Sequence, residues 1–278
     1  MVVGDLTITP YRVDHSAFDA CLFLVEAEGI RILHTGDFRT HGYTGDGLSA
    51  VLAEIGKVNY LICEGTMLSR GNEMVMTEAE LEAEARKIMR DNRNVFVLCS
   101  STNIDRIRAF YSAKPRTRPA VCDWYQKTIL DEVEALDSTA GKAYQFDWII
   151  PDADWNNKLH NWMADKGFLA FVRANDRFRK MMEPYRGNCK VIYSMWSGYL
   201  EKPEIKDFLD GFDWISLHTS GHATRQAIRM MVESVKPDQI IPLHTEVPEA
   251  FQELFPDQTV VLLKDKEEYP LNQKRQIC

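Results

Sequence analysis

No run in the 278 residues approaches the roughly 20 apolar residues that a membrane-spanning helix requires. The first residues, Met1-Val2-Val3-Gly4-Asp5, show no basic stretch followed by an apolar one, so no signal peptide is expected. There is no Cys-x-x-Cys pair. The six cysteines, Cys21, Cys63, Cys99, Cys122, Cys189 and Cys278, are scattered, and three of them fall within apolar runs. They read as small buried hydrophobes of a reducing cytosol rather than as disulfides or a thiolate metal site. Internal repeats and low-complexity segments are also lacking. With 45% hydrophobic and 27% charged residues, the chain reads as a soluble globular protein of one large domain or two ordinary ones, with no membrane partner.

Positive charge is in short supply, and the net charge of −8 by itself counts against a polyanionic partner. The shortage is uneven. Residues 100–190 hold 15 Lys/Arg against 12 Asp/Glu, leaving a net −11 on the remainder. A basic middle in an acidic body is compatible with a nucleic-acid cleft, although charges so mixed usually form a solvated surface.

What is there begins with short β-prone stretches, Leu6 to Val13, Ala20 to Val25 and Ile30 to Leu33, with a Glu28-Gly29 turn before the third. A helix is expected at Ser49 to Ile55 and a buried strand at Tyr60 to Cys63. Thr77 and Glu80 then have capping-box spacing ahead of a helix to about Arg90. From there strands alternate with helices: Asn94 to Cys99, a helix Ile104 to Ser112, Ala120 to Cys122, a helix Tyr125 to Leu136. That alternation predicts a parallel α/β unit. Residues 140–187, with Trp148, Trp155 and Trp162, read as irregular or helical cover. Strands are expected again at Lys190 to Ser194, Trp214 to His218, Gln239 to Leu243 and Thr259 to Leu263. Helices are expected at His222 to Val235 and Glu249 to Phe255. The order is a β-rich body, an α/β insert and a return, at 1–66, 67–200 and 201–278.

Several of these elements end in a His, Asp or Glu. Imidazole and carboxylate are the ligands of hydrolytic metals, and loops at one sheet edge can bring them together. His15, Asp37 and His244 are the best candidates, although a lone His after a strand is more often a structural hydrogen-bonding residue. Ser100-Ser101-Thr102-Asn103 with Arg106 could grip a phosphate at a helix start, or could be a simple N-cap at Ser101 or Thr102. His218 reads as a core residue, His34 as structural, His41 and His160 as surface. The aromatics at 144–171 could stack bases but read first as packing.

Val13-Asp14-His15-Ser16-Ala17-Phe18-Asp19-Ala20 and His34-Thr35-Gly36-Asp37-Phe38-Arg39 resemble the third and fourth motifs of the metallo-β-lactamase fold, in its β-CASP branch of ribonuclease J-like and cleavage-and-polyadenylation-like nucleases. Cys63-Glu64-Gly65-Thr66, Ser220-Gly221-His222-Ala223 and Pro242-Leu243-His244-Thr245 are similar to the branch's own three motifs, in the same order. The resemblance covers nearly the whole chain. It implies an α/β fold, an αββα sandwich with an inserted α/β domain, and a zinc-dependent phosphodiester hydrolase acting on RNA in preference to DNA. It implies that His15 binds one zinc, that Asp37 bridges two, and that His244 binds the other. It gives His222 the scissile phosphate and leaving group, and Glu64 the orientation of a neighbouring ligand. Ser100, Ser101, Thr102, Asn103 and Arg106 would touch the RNA backbone.

One family motif is absent. No two histidines stand two positions apart, so the sequence holds no His-x-His-x-Asp-His. Three remaining ligands do not complete two four-coordinate zinc sites. The sandwich is therefore expected to be incomplete, with weak metal binding by this chain alone. A separately encoded N-terminal half, or self-association, would be the partner to look for. Two rivals stay open: a hydrolase of small esters or phosphates, and a non-catalytic nucleic-acid-binding or scaffold subunit.

Overall fold

The computed structural model describes residues 1–70, 75–137, 143–151 and 157–271. The chain divides into two compact units, Met1–His15 with Asp19–Val75 and Gly221–Cys278, and Ser16–Phe18 with Met76–Ser220.

The first unit opens with β1 (Val2–Val3), β2 (Leu6–Arg12), β3 (Cys21–Ala27) and β4 (Ile30–His34), an antiparallel meander. Ala27 pairs with Ile30, so Glu28 and Gly29 form a two-residue turn, and both have positive φ, 49° and 76°. That is the geometry a tight hairpin between right-twisted strands demands. Helix α1 (Leu48–Ile55) leads to β5 (Tyr60–Glu64), which runs parallel to β4.

The second unit follows. Thr77 and Glu80 exchange the two hydrogen bonds of a capping box, 3.1 and 2.8 Å, and start α2 (Glu78–Asp91). Then come β6 (Asn94–Leu98), α3 (Ile104–Ala113), β7 (Ala120–Cys122), α4 (Trp124–Leu136), β8 (Ile149–Pro151), α5 (Asn157–Lys166), β9 (Phe168–Val172), α6 (Asp176–Met182), β10 (Lys190–Tyr193), α7 (Pro203–Leu209) and β11 (Trp214–Ser216). The six strands form one sheet of order β11-β10-β6-β9-β7-β8, every pair parallel. Strands β6 and β9 are almost continuously apolar because helices cover both faces of such a sheet.

The chain returns to the first unit with α8 (Arg225–Val235), β12 (Gln239–Leu243) and α9 (Ala250–Leu254). β12 runs parallel to β5 and completes a sheet of order β1-β2-β3-β4-β5-β12. One face carries Leu22, Leu24, Leu33, Leu61 and Cys63 into a core with Leu52 of α1 and Ile228, Met231 and Val232 of α8. The other face is also apolar but far less covered. By the strand register it presents Ile8, Phe23, Val25, Ile32 and Ile62, of which Phe23 is 42% exposed.

Three sequence expectations change. Residues 140–187 are not mere cover: β9 lies between β6 and β7 in the sheet and is buried throughout, and β8 is the edge strand. A five-residue apolar run has no alternation to separate strand from buried helix. Thr259 to Leu263 makes only a single bridge, Ile240 to Val260, before diverging. Trp214–Ser216 belongs to the second sheet, pairing with β10, so the second unit extends to Ser220 rather than to residue 200. Trp155 and Cys278 lie outside the described residues.

Candidate metal and catalytic site

Every residue of this site belongs to the first unit. Asp37 follows β4 by way of Thr35 and Gly36, Glu64 ends β5, and His244 follows β12 directly. These are three adjacent parallel strands, so their C-terminal ends open on the same edge. His222 lies in the loop before α8, because Thr224 caps that helix by accepting a hydrogen bond from the Ala227 amide at 3.2 Å. The expected helix start at His222 is thus three residues early, and the shorter helix leaves the imidazole on a loop.

The donor atoms of Asp37, Glu64, His222 and His244 all lie within 4.8 Å of one another. His244 Nδ1 is 2.8 Å from Asp37 Oδ1. His222 Nδ1 is 3.8 Å from Asp37 Oδ1 and 3.2 Å from Glu64 Oε2. His15 completes the row: its ring centroid is 5.6 Å from that of His222, which is 5.3 Å from that of His244. His15 Nδ1 meets the Gly221 carbonyl at 2.6 Å. A carbonyl only accepts, so Nδ1 carries the proton and the lone pair is on Nε2, the tautomer a metal ligand needs. Burial holds the His15 pKa below its ordinary value, opposed first by the hydrogen bond to the Gly221 carbonyl and then by the Asp37 carboxylate.

Glu64 has a different task. It is fully buried, and its Oε1 accepts from the Phe38 amide at 3.1 Å and the Ala223 amide at 3.0 Å. Its Oε2 accepts from the Thr66 amide at 3.3 Å. A carboxylate so engaged ties the loops of Asp37 and His222 to its own, and Thr66 Oγ1 extends the tie by donating to the His244 carbonyl at 3.1 Å. His244 has φ 48°, in the left-handed region that a non-glycine residue seldom adopts. Strain of this kind persists where surroundings impose it, and it gathers at functional sites.

The chain is similar to several known proteins. The family model described as the Zn-dependent metallo-hydrolase RNA specificity domain matches residues 214–259, a stretch that contains both His222 and His244. Ribonuclease J of Mycoplasma pneumoniae is 24% identical over 266 residues, covering 85% of this chain and 45% of that protein. Ribonuclease J of Helicobacter pylori strain J99 is 21% identical, covering 88% of this chain and 38% of that protein. The Endoribonuclease YSH1 of Mycosarcoma maydis is 39% identical over 74 residues, covering 26% of this chain and 8% of that protein. The chain resembles metallo-β-lactamase-fold nucleases of the β-CASP branch. A crystal structure of a protein of unknown function from Enterococcus faecalis V583 shares the fold, with a TM-score of 0.75 at 20% identity over 96% of this chain and 64% of that one. The chain spans less than half the length of the ribonuclease J relatives it matches.

The remaining expected site residues lie in the second unit and do not form one grip. Ser100 and Thr102 are exposed, with their hydroxyls 3.0 Å apart. Ser101 is buried, and its carbonyl accepts from Gln126 Nε2 at 3.0 Å. The N-cap of α3 is Asn103, whose side chain accepts from the Arg106 amide at 3.1 Å, not Ser101 or Thr102. Arg106 is a correction. It is completely buried and bidentate to Glu78, at 3.1 and 3.0 Å. Its other N–H groups reach Ser194 Oγ, His218 Nδ1 and the Thr219 carbonyl, at 2.5, 3.0 and 2.9 Å. All five donors are engaged, so none is left for a phosphate. His218 is part of that knot. His41, expected at the surface, is buried.

Sequence reasoning passed over a second fixing element. Asp14, beside His15, is buried with Arg39, beside Phe38; Arg39 Nε donates at 3.3 Å, and the Gly42 amide donates to Asp14 at 2.7 Å. The Arg39 amide donates in turn to the Asp14 carbonyl at 2.8 Å. This pair locks the His15 loop to the Asp37 loop, and a β-carbon on Gly42 would collide with the Asp14 carboxylate. Its sequence trace is one charged residue within each of the two motifs.

The nitrogen and oxygen donors of His15, Asp37, His222 and His244 suit a divalent metal such as zinc. These four side chains are fewer than two four-coordinate metal sites use.

Proposed function

We propose that this chain supplies part of the active site of a zinc-dependent phosphodiester hydrolase acting on RNA. The observation that carries the reading is the convergence of Asp37, Glu64, His222 and His244 from four remote segments to within 4.8 Å. In this reading His15, Asp37 and His244 hold zinc. His222, fixed by Glu64, contacts the scissile phosphate and assists the departing oxygen. Bound zinc would supply Lewis-acid clamping of the phosphate and a water of lowered pKa.

We further propose that the chain alone binds metal weakly. The thinly covered face of the first sheet, Ile8, Phe23, Val25, Ile32 and Ile62, is what a sandwich normally covers with a second sheet. That layer would carry the His-x-His-x-Asp-His segment, from the same polypeptide or from a separately encoded half. Zinc titration by calorimetry tests this: weak uptake is expected, and two tight equivalents would contradict it. Cleavage of an end-labelled RNA should rise when a polypeptide bearing that segment is added. No gain on RNA, despite restored tight zinc uptake, would favour the reading as a non-catalytic subunit.

A further inference from the structure

Within the second unit, the C-terminal end of α3, the segment after it, the residue before β8 and the middle of α5 border a half-open cavity of about 720 Å³ lined by Tyr111, Ser112, Lys114, Arg116, Arg118, Trp148 and Trp162. It lies beside the N-terminal ends of β7 and β8, and it shares no residue with the metal-site cluster. Volumes of roughly 300–1,000 Å³ are those of small-molecule sites.

The lining is two indoles, a phenol, a hydroxyl and three cations, with no carboxylate among the described residues that form it. Its walls are held in place. The Trp148 amide donates to Tyr111 Oη at 3.2 Å, and Trp162 Nε1 donates to the Thr117 carbonyl at 3.1 Å. Arg118 Nη1 donates to the carbonyls of Met89 and Asn92, both at 2.6 Å. Lys114 Nζ lies 4.9 Å from the Tyr111 ring centre, and burial pushes its pKa below the ordinary lysine value. Trp148 is 65% exposed, a large aromatic surface left in water beside cationic side chains.

A ligand that fits must bring a flat aromatic face and a negative charge together. We propose that this cavity binds one nucleotide, its base stacked on Trp148 and its phosphate held by Lys114 and Arg116. Base–aromatic stacking next to cationic side chains is the chemistry by which single-stranded nucleic acid and free nucleotides are held without sequence preference. The inference does not depend on the hydrolase reading, since it uses no metal ligand.

The test uses the whole chain in EDTA, with adenosine monophosphate by calorimetry and a fluorescein-labelled pentaadenylate by anisotropy. Both probes are expected to bind. Trp148→Ala should weaken binding by about 5- to 100-fold, and Trp148→Phe should restore most of it. Lys114→Gln with Arg116→Gln should weaken binding and flatten its dependence on salt. Zinc uptake should be unchanged in all of these variants, which separates this site from the metal centre. If the pentamer binds more than tenfold tighter than the monophosphate, the ligand is a nucleotide within a strand; comparable affinities mark a free nucleotide. The inference is overturned if neither probe binds, or if folded Trp148→Ala and Lys114→Gln/Arg116→Gln variants bind both probes like the parent.

Discussion

Two polar clusters in this molecule each join a fully buried glutamate to histidine, and they differ in how closed they are. In the second unit, Arg106, Glu78, Ser194 and His218 form a closed knot: arginine and glutamate are both fully buried, and every guanidinium donor has a partner. In the first unit, Asp37, His222 and His244 remain partly exposed, their side chains 33%, 22% and 56% accessible, around a single buried organiser, Glu64. The first cluster commits its hydrogen-bonding capacity to the fold. The second leaves three of its side chains partly accessible, and His244 there has a left-handed backbone. The difference teaches that burial and closure, more than the presence of charged groups, mark a polar cluster as part of the fold's framework.

The sharpest way to break the comparison is Arg106→Ala. It strands Glu78 in the interior and should cost about 3–5 kcal/mol of stability, read as a lower urea midpoint, with zinc uptake of the folded fraction unaffected. Gly42→Ala should come next, at about 1–3 kcal/mol, since the new methyl meets the Asp14 carboxylate. Unlike Arg106→Ala it should also weaken metal binding, because the His15 and Asp37 loops lose their lock.

Glu64→Gln keeps the shape but replaces charged acceptance of three amides with neutral acceptance and a misplaced donor. A loss of about 1–2 kcal/mol is expected, with metal affinity down about 10–100-fold; calorimetry on the same sample reads both. Asp37→Asn and His244→Gly should move stability least, within about 1 kcal/mol, and relief of the left-handed backbone in His244→Gly works in the stabilising direction. Both should abolish what zinc uptake the chain has. If they destabilise as much as Arg106→Ala, the two clusters are not different in kind.

Much of the candidate site was legible in the sequence because its motifs are local. His15, Asp37, Glu64, His222 and His244 each stand in a short segment of recognisable composition, and the strands that deliver Asp37, Glu64 and His244 stand out as apolar runs. The capping box at Thr77 and the Glu28-Gly29 turn were likewise readable, since each is decided within four residues. Strand β9 was hidden because a run of five apolar residues looks the same in a sheet interior as in a helix.

The amino-acid order alone determined the alternation of strands and helices, the ends of most of them, and which side chains could serve chemistry. Only the tertiary structure decided which of those side chains would be free to serve it. Arg106 beside Ser100–Asn103 has the spelling of a phosphate grip, yet Glu78, Ser194, His218 and Thr219 enclose it. Likewise Trp148, Trp162, Lys114 and Arg116 share one cavity although up to 48 residues separate them. Hydrogen-bond satisfaction and burial are sums over partners remote in the chain, and no local pattern carries them.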